Sequence, residues 1–166
     1  RAIGEVEEVH IWTNRPVWKQ GDRPLQPAQP VPATLDWNLW QGVAREREYN
    51  RLYTHFSWRG WSEYGCGALG DIGCHAMDSA FDVLKLGSPT SVEAVCAPQS
   101  EWSFPEWSIV TYQFPATAER GPVKLVWYDG NKMPERPKEL EAGRNLPGGI
   151  GGQLWYGTEG TIMVSD

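Results

Sequence analysis

The second half of the chain is a succession of short runs that are rich in β-branched and aromatic residues, which is the composition of strands. Turn-forming pairs such as Gly121-Pro122 and Asp129-Gly130 separate the runs, and no helical pattern lies between them. Five such runs occur, at residues 90–95, 108–114, 123–128, 152–156 and 161–164. Strands that follow one another without alternating helices predict an α+β domain with an open, mainly antiparallel sheet.

The first half of the chain predicts one further strand and one helix. Residues 4–13 alternate apolar and polar positions and predict the first strand. From Asp71 to Leu86 apolar residues recur at helical spacing, and Gly87 followed by Pro89 provides a stop signal.

The remaining segments predict loops. The prolines between residues 15 and 34 exclude a strand there, because proline fixes φ and has no N–H for a sheet ladder. Residues 35–61 are rich in aromatics but lack a period, which predicts a short helix and ordered loops. Residues 131–151 are rich in proline and glycine and predict a mobile loop.

Composition excludes several classes of partner. The 166 residues carry a formal charge of -6, without the basic stripe that a nucleic-acid phosphate backbone would need. No apolar run is long enough to cross a bilayer, so no membrane segment is expected. The three cysteines, Cys66, Cys74 and Cys96, are an odd number without dense spacing, which predicts buried, reduced thiols.

The residues that carry chemistry are concentrated between Gly65 and Asp78. On a helix, Asp71, His75 and Asp78 project from neighbouring positions of one face. An imidazole held by a carboxylate can exchange a proton with a ligand near neutral pH. The alternative is structural: Asp71 caps the helix or faces its dipole, and His75 is a polar residue at the border of the core.

A formal Gly-x-Gly-x-x-Gly pattern, Gly65 to Gly70, precedes this helix. A dinucleotide-binding loop requires a buried strand before the glycines and an acidic residue after the following strand, and both are missing here. We therefore expect no cofactor at this loop, and glycines that let the backbone turn tightly and approach a ligand. No Cys-x-x-Cys or His-x-x-x-His pair is present, so no metal site is expected.

Ten tryptophans invite two interpretations. Large rings fill irregular cores under long loops. Alternatively, Trp58 and Trp61, with Trp12 or Trp40, line a sugar or cofactor pocket beside the guanidinium of Arg59.

Several of these stretches together resemble a known family. The chain resembles the substrate domain of the Gfo/Idh/MocA family of NAD(P)-dependent oxidoreductases, in a Trp-rich bacterial subgroup. The resemblance lies in the motif from Gly70 to His75 with Asp78 after it, and in residues 9–16, 35–40 and 58–61. The resemblance implies helices on one face of the open sheet, as in the C-terminal domain of glyceraldehyde-3-phosphate dehydrogenase. It also implies that residues 1–166 form a single C-terminal substrate and oligomerisation domain, whose N-terminal Rossmann domain is absent from this sequence.

The resemblance implies an activity on a sugar or polyol CH–OH group. His75 would act as acid or base, and Asp71 would orient it or contact the substrate. Asn14, Trp58, Arg59, Trp61 and Asp78 are the further candidates for substrate contact. NAD or NADP would be bound mainly by the missing domain and not by this fragment. The family's Glu-Lys-Pro motif is also missing here, so we expect residues 1–166 alone to be inactive.

Oligomerisation is a further implication. In the family the open sheet face packs against another subunit, and the sequence assigns Val110, Tyr112, Leu125 and Trp127 to that face. The compartment is open, as bacterial cytoplasm or periplasm, because Arg1 is not an initiating methionine.

Two other classes of function compete with the oxidoreductase. One is a redox-neutral lyase, epimerase or glycosidase on the same scaffold, and the other is a carbohydrate-binding or oligomerisation module without chemistry.

Overall fold

A six-stranded sheet organises the chain in the computed structural model, which describes residues 2–148 and 151–165. The strands are β1 (Val6–Thr13), β2 (Ser91–Cys96), β3 (Ser108–Phe114), β4 (Val123–Tyr128), β5 (Gly151–Gly157) and β6 (Gly160–Ser165). Their order across the sheet is β2-β3-β4-β1-β5-β6. Only β1 and β4 are parallel, and the other neighbours are antiparallel. The predicted α+β class and mainly antiparallel open sheet are confirmed.

In the part of the chain that the structure describes, three α-helices accompany the sheet: α1 (Trp37–Gln41), α2 (Gly67–Ala76) and α3 (Asp78–Leu84). The single helix predicted from Asp71 to Leu86 is therefore wrong in its start and its continuity, because the chain divides at Met77. The helical segment ends at Lys85, which adopts a left-handed φ of 47°, ahead of the predicted glycine. No helix in residues 2–148 and 151–165 has the length and apolarity needed to cross a membrane.

The main core lies between the sheet and helices α2 and α3. Fully buried side chains of the central strands, such as Val9, Leu125 and Trp127, pack with Ala76 and Ala80 of the helices. Strand register places Val110 opposite Trp127, and Tyr112 opposite Leu125.

This register corrects the predicted docking face. Val110, Tyr112, Leu125 and Trp127 all belong to the main core or pack against it, so they are not on the open face. The prediction assigned the wrong set of alternate residues to the open face, because successive side chains of a strand point to opposite faces of the sheet. Apolar residues occur on both sides of these strands, so the sequence pattern alone did not decide which side the helices cover.

The other face of the sheet carries polar groups and is crossed by part of the loop after β4. His10 lies there between Glu8 and Tyr128, with its Nε2 2.5 Å from Glu8 Oε1 and its Nδ1 2.9 Å from Tyr128 Oη. The loop is joined to this face where Trp12 Nε1 donates to the carbonyl of Pro147 over 2.9 Å.

The loop itself is organised by one side chain. The guanidinium of Arg136 donates to the backbone carbonyls of Pro137, Leu140, Glu141 and Arg144. This is more local structure than the predicted mobile loop implied. Gly149 and Ile150, which belong to the same prediction, lie outside the described residues.

A second, aromatic core lies under the proline-rich loop. Its buried members are Trp37, Tyr49, Tyr53 and Trp61, with Trp40 and Tyr64 packed against them. Helix α1 begins there with Asp36, whose side chain accepts a hydrogen bond from the amide of Leu39 over 2.9 Å. Packing in an irregular core is therefore confirmed for many of the tryptophan rings.

The cysteines differ from the prediction. Cys66, Cys74 and Cys96 are all free but exposed, and not buried. Cys66 precedes the first turn of α2, and Cys96 ends the edge strand β2, all of whose residues are exposed. The sequence pattern identifies a helix and a strand around these cysteines, but it does not show that β2 lies at the edge of the sheet, where the helices leave it uncovered.

Candidate active site

The centre of the candidate site is an ion pair between a short 3₁₀ turn and helix α2. Arg59 lies in the turn Ser57–Gly60 and donates from Nε to Oδ1 of Asp71 over 3.2 Å. The two side chains are 26% and 24% exposed, so the pair is reachable by a ligand while much of it is shielded from water. The structure thus joins two of the predicted site residues directly.

Aromatic rings frame the guanidinium of Arg59. Its central carbon lies 4.5 Å from the ring centroid of Trp58, 4.8 Å from that of Phe56 and 5.8 Å from that of Trp18. One terminal nitrogen, Nη1, also donates to the carbonyl of Phe56 over 3.2 Å. These contacts hold the planar fork in a single orientation.

Glycines bring the 3₁₀ turn against the start of α2. Gly65 passes so close to Arg59 that a Cβ at position 65 would lie 2.6 Å from the Arg59 backbone. Gly67 opens α2 with a φ of +65°, a conformation that favours glycine. The predicted tight turn is therefore present, and it serves to place Asp71 beside Arg59.

His75 follows Asp71 by four positions, in the last turn of α2, and is exposed. Within residues 2–148 and 151–165 its ring makes neither a hydrogen bond nor an ion pair, and the carboxylate of Asp71 is engaged by Arg59. The imidazole is therefore open to a ligand. In this structure Asp71 contacts the guanidinium and does not hold the histidine directly.

The other candidates differ in placement. Asp78 is exposed at the first residue of α3, so the break at Met77 removes it from an unbroken helical face with Asp71 and His75. Its carboxylate is at the end of the helix where the dipole favours negative charge.

Trp61 lies in the aromatic core, and only 2% of it is exposed. Its Nε1 donates to the carbonyl of Leu52 over 3.0 Å, Tyr53 packs against its ring, and the guanidinium of Arg23 lies 4.9 Å from its centroid. The ring therefore offers no free face for stacking, which corrects its predicted place in a ligand pocket.

Asn14 is the first residue after β1 and lines a separate cavity of about 290 Å³ with Asn131, Met133 and Pro147. Its Oδ1 is buried without a hydrogen-bond partner among the described residues. Trp12, one of the predicted pocket tryptophans, also lines this cavity, but Arg59, Asp71 and His75 do not, so the structure does not join Asn14 to the Arg59 and Asp71 pair.

A nearby tyrosine can be excluded as a base. Burial, followed by the charge of Glu63, raises the pKa of Tyr64 to about 12, so its hydroxyl is protonated at neutral pH.

The glycine-rich loop does not fit a dinucleotide. The segment before Gly65 contains a 3₁₀ turn and no β-strand. The spaces beside the three glycines are filled by the protein itself: a Cβ at Gly65, Gly67 or Gly70 would meet Arg59, Phe104 or Cys66, respectively, within 2.7 Å. At these three positions the missing side chain lets the backbone approach the chain's own atoms.

The described residues do not form a group of metal ligands either. Among the described residues, no three His, Cys, Asp or Glu side chains are grouped as a metal site would require.

Sequence reasoning overlooked parts of this arrangement. Phe56 and Trp18 frame Arg59 but lie in segments without a period, and no sequence signal assigns them to the site. Gln153 contacts the junction of α2 and α3 from strand β5. A polar residue inside an apolar strand run is the one signal that could have identified it.

Comparison with known proteins assigns the family. A search of curated proteins found no match. The model of the oxidoreductase family C-terminal alpha/beta domain, in the Gfo/Idh/MocA group, matches residues 6–132, which is well over half of the chain. That range contains β1 to β4, all three helices and the ion pair of Arg59 with Asp71. The chain therefore belongs to the Gfo/Idh/MocA oxidoreductase family, as a C-terminal α/β domain.

Proposed function

We propose that this domain binds the sugar or polyol substrate of an NAD(P)-dependent oxidoreductase, and that His75 exchanges the proton of the reacting hydroxyl. The supporting observation is the placement of an exposed imidazole on α2, one turn beyond a carboxylate that an arginine holds in place. Oxidation of a CH–OH carbon requires the hydroxyl proton to leave, and imidazole is suited to accept it near neutral pH. In the reverse direction the imidazolium returns the proton.

Arg59 and Trp58 have roles in binding within this proposal. Nε of Arg59 is committed to Asp71 and Nη1 to a backbone carbonyl, and the remaining guanidinium N–H groups can donate to substrate hydroxyl or carboxylate oxygens. The half-buried Trp58 ring packs on the guanidinium and forms an apolar wall beside it. Asp71 fixes the arginine and keeps acceptor capacity on its second oxygen.

The cofactor belongs to a different part of the enzyme in this proposal. The glycine-rich loop of this chain does not fit a dinucleotide, so NAD or NADP would be held by a separate domain. The steps assigned to this chain concern substrate orientation and the proton only.

The test is a His75→Ala variant of the enzyme that joins this domain to its cofactor domain, assayed with a panel of aldoses, hexitols and uronates and with NAD⁺ and NADP⁺. Loss of general acid–base catalysis should lower kcat by roughly 10²- to 10⁴-fold while cofactor affinity is retained. His55→Ala, at an exposed histidine in a loop, is the matched control. Unchanged turnover in His75→Ala would remove the histidine from the mechanism.

The same assay separates the competing classes of function. Product that accumulates with stoichiometric NAD(P)H supports the oxidoreductase. Product without net change in NAD(P)H assigns the redox-neutral lyase, epimerase or glycosidase, and carbohydrate binding without any product assigns the non-catalytic module.

A further inference from the structure

We propose that Gln153 is a positioning residue that fixes the end of α2 and thereby the placement of His75. The inference rests on the proposed role of His75 and adds a residue outside the segment that the family model matches. Its basis is a buried amide that joins the sheet to both helices at the point where the helical segment is broken.

Gln153 lies in β5, opposite Ile11 of β1, and points to the helix-covered side of the sheet. Only 6% of the residue is exposed. Its Nε2 donates to the carbonyl of Ala76 over 2.9 Å, and its Oε1 accepts from Nε1 of Trp155 over 2.8 Å. The hydroxyl of Ser79 lies 3.2 Å from both the oxygen and the nitrogen of the amide. The amide therefore reaches the last residue of α2, the first turn of α3 and a neighbouring ring of the sheet.

The Ala76 carbonyl is the backbone acceptor at the end of α2, where the helix is broken. In an unbroken helix it would accept from the amide of residue 80. Met77 itself keeps helical dihedral angles, with φ of -91° and ψ of -11°, so nothing in its local conformation forbids a continuous helix. A strong side-chain donor on the sheet gives the carbonyl a partner outside the helix. We infer that Gln153 maintains the division between α2 and α3.

This contact bears directly on His75, which immediately precedes Ala76 in the last turn of α2. Strand β5 is hydrogen-bonded on both sides, to β1 and to β6, so the amide is attached to a well-supported part of the sheet. Without that anchor the end of α2 can rotate or continue into α3, and His75 moves with it. Displacements of about 1 Å at a reacting group can reduce turnover by 10²-fold.

Three variants separate the contacts. Gln153→Leu removes the amide and retains a similar volume. Gln153→Glu keeps an acceptor for Trp155 but loses the donor to Ala76. Ser79→Ala removes one hydroxyl at an exposed position, and it tests the same junction if the Gln153 variants do not fold. The matched control is Gln113→Leu, at an exposed glutamine of β3.

The first readout is NMR of the 166-residue chain, which needs no substrate. Gln153→Leu and Gln153→Glu should shift the amide signals of residues 74–79 and the ring signals of His75, and Ser79→Ala should shift them less. Gln113→Leu should leave these signals unchanged. Signals that match the wild type in both Gln153 variants would overturn the inference.

The second readout is kinetic, in the enzyme that joins this domain to its cofactor domain, with the best substrate of the same panel. Gln153→Leu should lower kcat by about 10- to 100-fold with KM within about threefold, and it should cause no further loss in a His75→Ala background. Independent, multiplying losses would show that Gln153 does not act through His75 and would overturn the inference. If His75→Ala is inactive while Gln153→Leu behaves like the control, only the inference fails. If His75→Ala is fully active, the proposed function fails first.

Discussion

Arg59 should stabilise the domain through contacts that methionine cannot make. The Arg59→Met variant keeps an unbranched apolar side chain of similar length but removes the charge, the bond to Asp71 and the bond to the carbonyl of Phe56. The variant therefore measures what the guanidinium contributes to the candidate site.

The magnitude follows from the individual contacts. The rings of Trp58 and Phe56, at 4.5 and 4.8 Å, each contribute about 0.5–1 kcal/mol as cation–π partners, whereas Trp18 at 5.8 Å is near the limit of the interaction. A partly exposed ion pair such as that with Asp71 contributes about 0.2–1 kcal/mol. Arg59→Met should therefore lower the free energy of unfolding by about 1.2–3 kcal/mol. Arg59→Lys should lose about half of that, because the charge remains and the planar fork does not.

Urea denaturation followed by tryptophan fluorescence measures the effect, because several tryptophans are buried and report on unfolding. Thermal unfolding should show a decrease in Tm of roughly 2–12 °C in Arg59→Met. Arg51→Met, at an exposed arginine in a loop, serves as the control. An Arg59→Met variant within about 0.5 kcal/mol of both the wild type and this control would refute the reasoning, since that is the usual range for surface substitutions without specific contacts.

Two further predictions concern the open sheet face. Burial lowers the pKa of His10 despite the opposing hydrogen bond and charge of Glu8, so the folded chain binds a proton at this site less readily than the unfolded chain, whose histidine has a pKa of about 6.5. Stability from this group is thus present above that value and is lost as pH falls below it, by up to about 1.4 kcal/mol for each unit of pKa lowering. Urea midpoints at pH 7.5 and pH 5.5 should converge in His10→Gln, and an unchanged difference would exclude His10 as the cause. We also propose that two copies of the chain associate through this face, which carries Glu8, His10, Lys124 and Tyr128. Analytical ultracentrifugation should detect a dimer, and a purely monomeric species at high protein concentration would contradict the proposal.

The strands could be predicted from the sequence because their signal is local. β3 and β4 coincide with runs of β-branched and aromatic residues between turns, and the observed strand limits match those runs. Which side of a strand the helices cover depends on the whole fold, and here both sides carry apolar residues. The four residues assigned to the open face were therefore placed on the wrong side.

For the helix and the site, too, the spacing along one segment could be predicted from the sequence, whereas contacts with distant segments could not. Apolar spacing predicts one helix from Asp71 to Leu86, but the break at Met77 coincides with an amide of β5 more than 70 positions along the chain. Spacing on a helix suggested that Asp71 would meet His75, whereas the carboxylate meets an arginine from the preceding turn. Pairing across segments is decided by the fold, and the periodicity of one helix carries no information about it.

The position of β1 in the sheet has a consequence for how the chain folds. This first strand lies between β4 and β5, and His10 and Tyr128, which are side by side there, are 118 positions apart in the sequence. Both neighbours of the central strand must therefore be recruited from the far end of the polypeptide, which makes folding slow because loop closure precedes most of the favourable contacts. During synthesis the apolar side chains of β1 stay without their sheet partners until β4 and β5 have been made. For this interval we expect the nascent chain to depend on chaperones and to be prone to aggregation.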